Sequence, residues 1–210
     1  MKDIGIIDTG LSNIHSVINA FEMLGSSVGT CRIKGDEKEF RAIILPGVGS
    51  FKIAMGKLKE KGLDDAIKET IMTAKPFLGI CLGMQLLLSE SEEFGITKGL
   101  NLMEGTVKKF NFESKSIHVP HVGWNEVNFG KDMTLFNKIE QNSMFYFVHS
   151  FFTELNDTRA LKATTNYFDK KFTSCFEKDN IFATQFHPEK SGKIGIEVCK
   201  NFQQIVKKNS

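Results

Sequence analysis

The sequence predicts an α/β protein: a doubly wound, mostly parallel sheet with a mixed or antiparallel extension. Three observations carry that expectation. Short apolar β-like runs alternate with helical patterns through the first half of the chain. The strings Pro46-Gly47-Val48-Gly49 and Gly79-Ile80-Cys81-Leu82-Gly83 each stand where an apolar run gives way to helical material, the strand-to-helix switch of a βα unit. The second half then links strand-like runs through polar breaks with no helical pattern between them.

Taken in order, Ile4 to Asp8 is a buried-strand run, and Ser12 to Leu24 reads as a helix with Ile14, Val17, Ile18, Phe21 and Leu24 inward. Ala42 to Leu45 is a second buried strand, ending at the Pro46–Gly49 turn, and helical material runs from about Phe51 to Ala74. Phe77 to Ile80 is the strand that delivers Cys81. Ligands of such sheets bind beyond the carboxyl ends of the strands, where Gly47, Gly49 and Cys81 all fall. Leu102 to Phe112, Trp124 to Phe129, Phe145 to His149, Leu161 to Thr165, Phe172 to Phe176 and Ile181 to Phe186 are the strands of the extension. Ser191 to Lys208 closes the chain as an amphipathic helix with Ile194, Val198, Phe202, Ile205 and Val206 on its inner side.

The 210 residues are expected to form one domain, 1–210, with 25% charged and 41% apolar side chains, an ordinary globular balance. A net charge of +2 without a basic block gives nucleic-acid binding no electrostatic support. No stretch approaches a transmembrane length, and the expectation is a cytoplasmic protein with no membrane association. The four cysteines are scattered, with no C-x-x-C pair, so they read as reduced thiols. Cys31, Cys175 and Cys199 lie in apolar or mixed segments and read as packing residues.

Cys81 is different. A strand, a cysteine with glycines two residues to either side, and a following helix make a nucleophile elbow with cysteine in place of serine. The turn is so sharp that flanking side chains would collide, which explains Gly79 and Gly83. It also sets the sulfur at the positive end of a helix, where a thiolate is favoured. Far downstream, His187 and Glu189 in Phe186-His187-Pro188-Glu189 supply a base and an orienting carboxylate, because residues two apart on an extended backbone project to one side. Together these are the parts of an acyl-transfer triad. The Pro46–Gly49 loop lacks the Gly-Lys-Ser/Thr of a phosphate loop. Its N–H groups, Gly49 among them, are better used with that of Leu82 as an oxyanion hole. His118, His121 and His149 have no third ligand at a supporting spacing, so no metal is expected, and nothing calls for a cofactor.

These residues together resemble the class I (triad-type) glutamine amidotransferases, a flavodoxin-like fold. Gly79-Ile-Cys81-Leu-Gly-Met-Gln85 and Phe186-His-Pro-Glu189 are similar to that superfamily's nucleophile and base strings. Pro120-His-Val-Gly-Trp-Asn125, Phe145-Tyr-Phe-Val-His149 and His187-Pro-Glu-Lys-Ser191 are similar to the glutaminase subunits of imidazole glycerol phosphate synthases. The resemblance runs from Ile4 to the last helix. It implies that Cys81 attacks the side-chain amide of L-glutamine, that His187 shuttles the proton and that Glu189 orients it. It further implies that Gln85 and Glu93 hold the polar ends of glutamine, with backbone help from Gly47, Gly49, His149, Ser150 and Pro188. An ammonium group suits a carboxylate such as Glu93. Tyr146, Lys190, Asn13 and Trp124 then match positions facing a (β/α)₈-barrel synthase subunit that receives ammonia in histidine biosynthesis, as a heterodimer. Ser12 stands where the family usually has glycine, Val122 where methionine is common, and Phe151 where tyrosine is common. Two other readings are a paralogous glutaminase subunit feeding the amination of a surface-polysaccharide sugar, and a catalytically silent regulatory subunit. The presence of Cys81, His187 and Glu189 together speaks against the latter, and nothing suggests the peptide groove of a cysteine protease.

Overall fold

Strands and helices alternate through the first half of the computed structural model, which describes residues 1–114 and 117–209. They are β1 (Lys2–Ile7), α1 (Ile14–Met23), β2 (Val28–Cys31), β3 (Phe40–Gly47), α2 (Phe51–Glu60), α3 (Leu63–Met72), β4 (Phe77–Cys81) and α4 (Leu82–Leu86). Strands then dominate: β5 (Leu88–Ser91), β6 (Thr97–Lys98), β7 (Met103–Lys109), β8 (His121–Glu126), β9 (Met144–His149) and β10 (Phe151–Leu155). After them come β11 (Leu161–Tyr167), β12 (Lys170–Lys178), β13 (Ile181–Thr184) and the long α5 (Gly192–Lys208).

The main sheet runs β2-β1-β3-β4-β13-β12-β10-β7-β5-β6, with β11 added beside β12. From β2 to β13 every neighbouring pair is parallel. From β13 outward the β13–β12, β12–β10 and β10–β7 pairs are antiparallel, so the sheet changes character where the chain changes pattern. A separate hairpin, β8–β9, pairs His121 with His149 and Trp124 with Tyr146. Two cores flank the sheet. One gathers Ile4, Ile6, Phe21, Leu78, Phe186 and Phe202 under α1 and α5. The other gathers Ile43, Leu45, Phe51, Leu58, Ile67 and Phe77 under α2 and α3. All five residues of β4 are buried, as a central parallel strand covered on both faces requires.

Departures from the sequence reading have local causes. The helical stretch from Phe51 to Ala74 is two helices, broken where Gly62 takes φ +66°, a conformation glycine enters without steric cost. Short β2, β5, β6 and β10 carry too few alternating residues to announce themselves. β5 in particular follows α4 within one residue, so one apolar run holds both elements. Strand β13 ends at Thr184 rather than Phe186, and β8 starts at His121, ahead of Trp124. On α5, Ile194 is 37% exposed and Cys199 takes a core position instead. The cysteines other than Cys81 are packed away: Cys31, Cys175 and Cys199 are free and fully buried, and burial raises all three thiols, Cys31 to about 12.

Candidate active site

The carboxyl end of β4 is where the backbone is forced. Cys81 closes the strand and caps α4 with φ +55° and ψ −108°, a conformation that costs a non-glycine residue about 1–3 kcal/mol. The flanking glycines make the turn possible by close approach. A Cβ on Gly79 would lie 2.8 Å from the carbonyl oxygen of Gly83, and one on Gly83 would lie 1.7 Å from that of Leu45. A Cβ on Gly47, the register partner of Cys81, would meet Leu82 at 2.9 Å. Two strand ends, β3 and β4, and the helix α4 are thereby drawn together under one sulfur.

Above that sulfur lies a cleft of about 550 Å³, lined by Cys81, Leu82, Gln85, Glu93, Gly49 and His149 among others, an ordinary size for a small-molecule site. A somewhat larger open cleft of about 650 Å³ lies beside Glu92, Lys109 and Phe112 and is not lined by Cys81. Gly49 enters the reactive cleft with φ +90°. Leu82 is the first residue of α4, so its N–H has no acceptor within the helix. Ser150 lines the cleft as well. Gly47 and Pro188, expected to touch substrate, do not line it. Gly47 packs beneath Leu82, and the carbonyl of Pro188 lies under Gly195, where a Cβ would come within 2.0 Å.

His187 follows β13 and is held from three directions. Its N–H donates to the Tyr146 carbonyl at 3.0 Å. Its own carbonyl accepts from Ser191 Oγ at 2.7 Å, while the same hydroxyl accepts the Tyr146 N–H at 3.0 Å. Its ring meets Glu189 Oε1 through Nδ1 at 2.8 Å. Nε2 is buried with no hydrogen-bond partner among the described residues. Burial works against a charge on this ring, yet the Cys81 sulfur and the Glu189 carboxylate outweigh it and raise the imidazole to about 10. A sulfur, an imidazole with one nitrogen free of other partners, and a carboxylate on its second nitrogen are the parts of a Cys-His-Glu triad.

Glu93 has two tasks. Oε2 accepts the Phe51 N–H at the first turn of α2, 2.6 Å away, and the carboxylate also faces the cleft. Gln85 Nε2 donates to the Phe151 carbonyl and to Gln185 Oε1, each at 2.9 Å. Gln185, fully buried, places Nε2 3.6 Å from Cys81 Sγ. The sequence reading passed over Gln185. Its only signal was parity: it stands two residues before His187, as Glu189 stands two after.

His121 and His149 do meet, as a hydrogen-bonded pair in which Nδ1 of His121 lies 3.0 Å from Nε2 of His149. The direction of the protons follows from the ends of the chain. His149 Nδ1 must donate to the Phe151 carbonyl, 2.8 Å away, so its Nε2 accepts from His121 Nδ1. His121 Nε2 then accepts from Asn125 Nδ2 at 3.3 Å. His118 is joined to neither of them; its carbonyl accepts from the Tyr167 hydroxyl. Burial keeps both paired rings neutral, lowering His121 to about 4 and His149 to about 3.

A pH dependence follows. Each ring has a folded value below its ordinary 6.5, so the unfolded chain binds more protons than the folded one below pH 6.5. The stability these two rings contribute is complete above that pH and is lost as pH falls toward 4. Between pH 7 and 5.5 the loss should steepen toward about 2.7 kcal/mol per pH unit, the slope for two protons. Urea unfolding across that range measures it, and a flat profile would contradict the neutral pair.

The surface next to the cleft is apolar. On the β8–β9 hairpin Trp124 and Val122 are 53% and 56% exposed, with the Trp124 and Tyr146 rings 6.2 Å apart. Asn13 and Lys190 are also exposed, and α1 packs against the turn at Pro188–Lys190. The four positions expected to face a partner thus occupy neighbouring elements at one end of the sheet.

Comparison with known proteins agrees with this geometry. The family profile described as "Glutamine amidotransferase class-I" matches residues 5–205. The chain is 44% identical over 200 residues to the imidazole glycerol phosphate synthase subunit HisH of Chlorobaculum tepidum, covering 95% of this chain and 98% of that one. It is 46% identical over 200 residues to the subunit of the same name from Chlorobium chlorochromatii, with the same coverage. A solved glutamine amidotransferase superposes with a TM-score of 0.75 at 15% identity, covering 97% of this chain and 98% of that one, which speaks for the fold. The chain belongs to the class I glutamine amidotransferase family, and its relatives there are HisH subunits.

Proposed function

We propose that the chain, one domain over residues 1–210, is the glutaminase subunit of an imidazole glycerol phosphate synthase. It hydrolyses glutamine to glutamate and ammonia, and a (β/α)₈-barrel synthase subunit consumes the ammonia in histidine biosynthesis. One observation carries this reading. A cysteine on a strained strand–helix turn opens into a cleft with a free-amino-acid set of polar groups, Glu93 and Gln85, and is coupled to a buried imidazole–carboxylate pair.

In the first step the Cys81 sulfur adds to the side-chain carbonyl carbon of glutamine. The oxygen gathers negative charge and accepts N–H bonds from Leu82 and Gly49, a contribution of about 10²–10³ in rate for each such donor. The C–N bond then breaks as His187 passes its proton to nitrogen, releasing ammonia and leaving a glutamyl thioester on Cys81. Water attacks this thioester as His187 takes up its proton, and glutamate leaves with the thiolate restored. Glu189 holds Nδ1 throughout, keeping Nε2 as the working nitrogen. Glu93 receives the ammonium of the substrate. Trp124, Tyr146, Asn13 and Lys190 face the synthase subunit.

Glu189→Gln should lower kcat by about 10² while leaving a hydrogen-bonding group behind His187. Steady-state glutaminase assays read this, and an unchanged kcat would remove Glu189 from the mechanism. The whole reading is tested by glutamate production from glutamine in three conditions: the chain alone, with the barrel subunit, and with that subunit plus its acceptor substrate. Turnover should be low in the first and rise through the other two. The Pro46–Gly49 loop offers a route for that activation, because glycine makes reorientation of a peptide N–H sterically cheap. No glutamate in any condition would overturn the assignment.

A further inference from the structure

Gln185 lies in the wall between the nucleophile and the substrate-facing Gln85, and its carboxamide has one end committed to each. The orientation of both amides is set by an atom that cannot be reversed. The Phe151 carbonyl is an acceptor only, so the Gln85 atom 2.9 Å from it is Nε2. That nitrogen also faces Gln185 at 2.9 Å, where it needs the oxygen. Gln185 is left with its nitrogen toward Cys81 Sγ at 3.6 Å, a reasonable N–H···S distance. The same Phe151 carbonyl receives the Nδ1–H of His149, which pins it from a second side. With both its N–H bonds committed, Gln85 keeps Oε1 as an acceptor on a residue that lines the cleft.

We propose that Gln185 is a positioning residue with two effects: it donates a hydrogen bond to the Cys81 sulfur, and it holds the Gln85 carboxamide with its oxygen available to the substrate. A donor aimed at sulfur favours the thiolate over the thiol. It acts from a residue separate from His187, so the anion is held by two groups rather than one. Burial makes the contact count, because a hydrogen bond away from water is neither diluted nor replaced by solvent. The fixed Gln85 oxygen suits the ammonium end of an amino acid and disfavours a ligand that offers an acceptor there. This inference rests on the glutaminase reading of the same cleft.

Gln185→Leu removes both contacts, whereas Gln185→Glu keeps the shape, loses the donor and sets an acceptor against sulfur. The primary readout is the rate of Cys81 alkylation by iodoacetamide against pH, located by peptide mapping, in the full chain. Cys31, Cys175 and Cys199 are fully buried and provide the background. The midpoint of the profile should rise by about one pH unit in Gln185→Leu and further in Gln185→Glu. The KM for glutamine should rise about tenfold in Gln185→Leu, where the Gln85 amide loses its lock, and stay near the native value in Gln185→Glu, whose carboxylate still accepts from Gln85 Nε2. Folding of each variant is read from near-ultraviolet circular dichroism. Wild-type alkylation profiles in either folded variant would overturn the proposal. Alkylation needs no glutamine, so a shifted profile in the variants alongside a native chain that makes no glutamate in any condition would refute the proposed function and not the contact.

Discussion

Cys81→Ser should abolish glutamine hydrolysis, with a loss of at least about 10³ in kcat/KM. The hydroxyl occupies nearly the same volume, so the strained turn, the two cores and the β8–β9 surface survive. What disappears is the sulfur: a serine hydroxyl is a far weaker acid and a poorer nucleophile than a thiol. His187 should lose its elevated value as well, since Cys81 is the foremost influence raising it. The variant complexed with the synthase subunit should still turn over when ammonium salts replace glutamine. Glutamine-dependent synthesis and ammonium-dependent synthesis, measured in parallel, separate chemistry from assembly. Retained glutamine dependence would rule Cys81 out as the nucleophile.

Gly83→Ala should cost stability on the order of 3 kcal/mol or more, although it adds one methyl group. The new Cβ would stand 1.7 Å from the Leu45 carbonyl oxygen. That oxygen belongs to a central strand and cannot rotate away as a side chain can. Either α4 lifts from the sheet, carrying Leu82 and Gln85 out of position, or β3 shifts beneath the Pro46–Gly49 loop. Activity should therefore fall along with stability. Gly56→Ala is the control: its Cβ meets nothing within 4 Å in α2, and the exchange should stabilise by about 0.5–1 kcal/mol. Urea midpoints of the two variants should move in opposite directions. A Gly83→Ala midpoint equal to that of the native chain would mean the turn has slack that the contact distance denies.

The candidate nucleophile, Cys81, was legible because its determinants are local. A strand, two glycines and a helix start fall within one short segment, and the backbone strain at Cys81 is visible as the glycines that permit it. Periodicity also exposed β1, β3, β4, α1 and α5, each long enough or apolar enough to repeat its pattern. His187 does meet Glu189, but not along the extended backbone expected from their separation of two: Glu189 lies in a 3-10 turn, Pro188–Lys190, that begins directly after His187. Gln185 could not be read in the same way. Its partners, Gln85 and Cys81, are about a hundred residues away in sequence, and a buried glutamine has no local signature that distinguishes it from a packed one.

Residue types and short spacings determined the reactive cysteine, its imidazole and carboxylate, the glycine loop, and the change from parallel to antiparallel sheet midway along the chain. All of these follow from sterics and side-chain periods that act over a few residues. Tertiary structure alone decided the strand order that sets β13 beside β4 and so brings His187 to Cys81. It alone brought His121 and His149 together as a neutral, directional pair ending on the Phe151 carbonyl. These outcomes depend on which distant backbone atoms finish close together, and loop closure leaves no mark in the local pattern of the residues it joins.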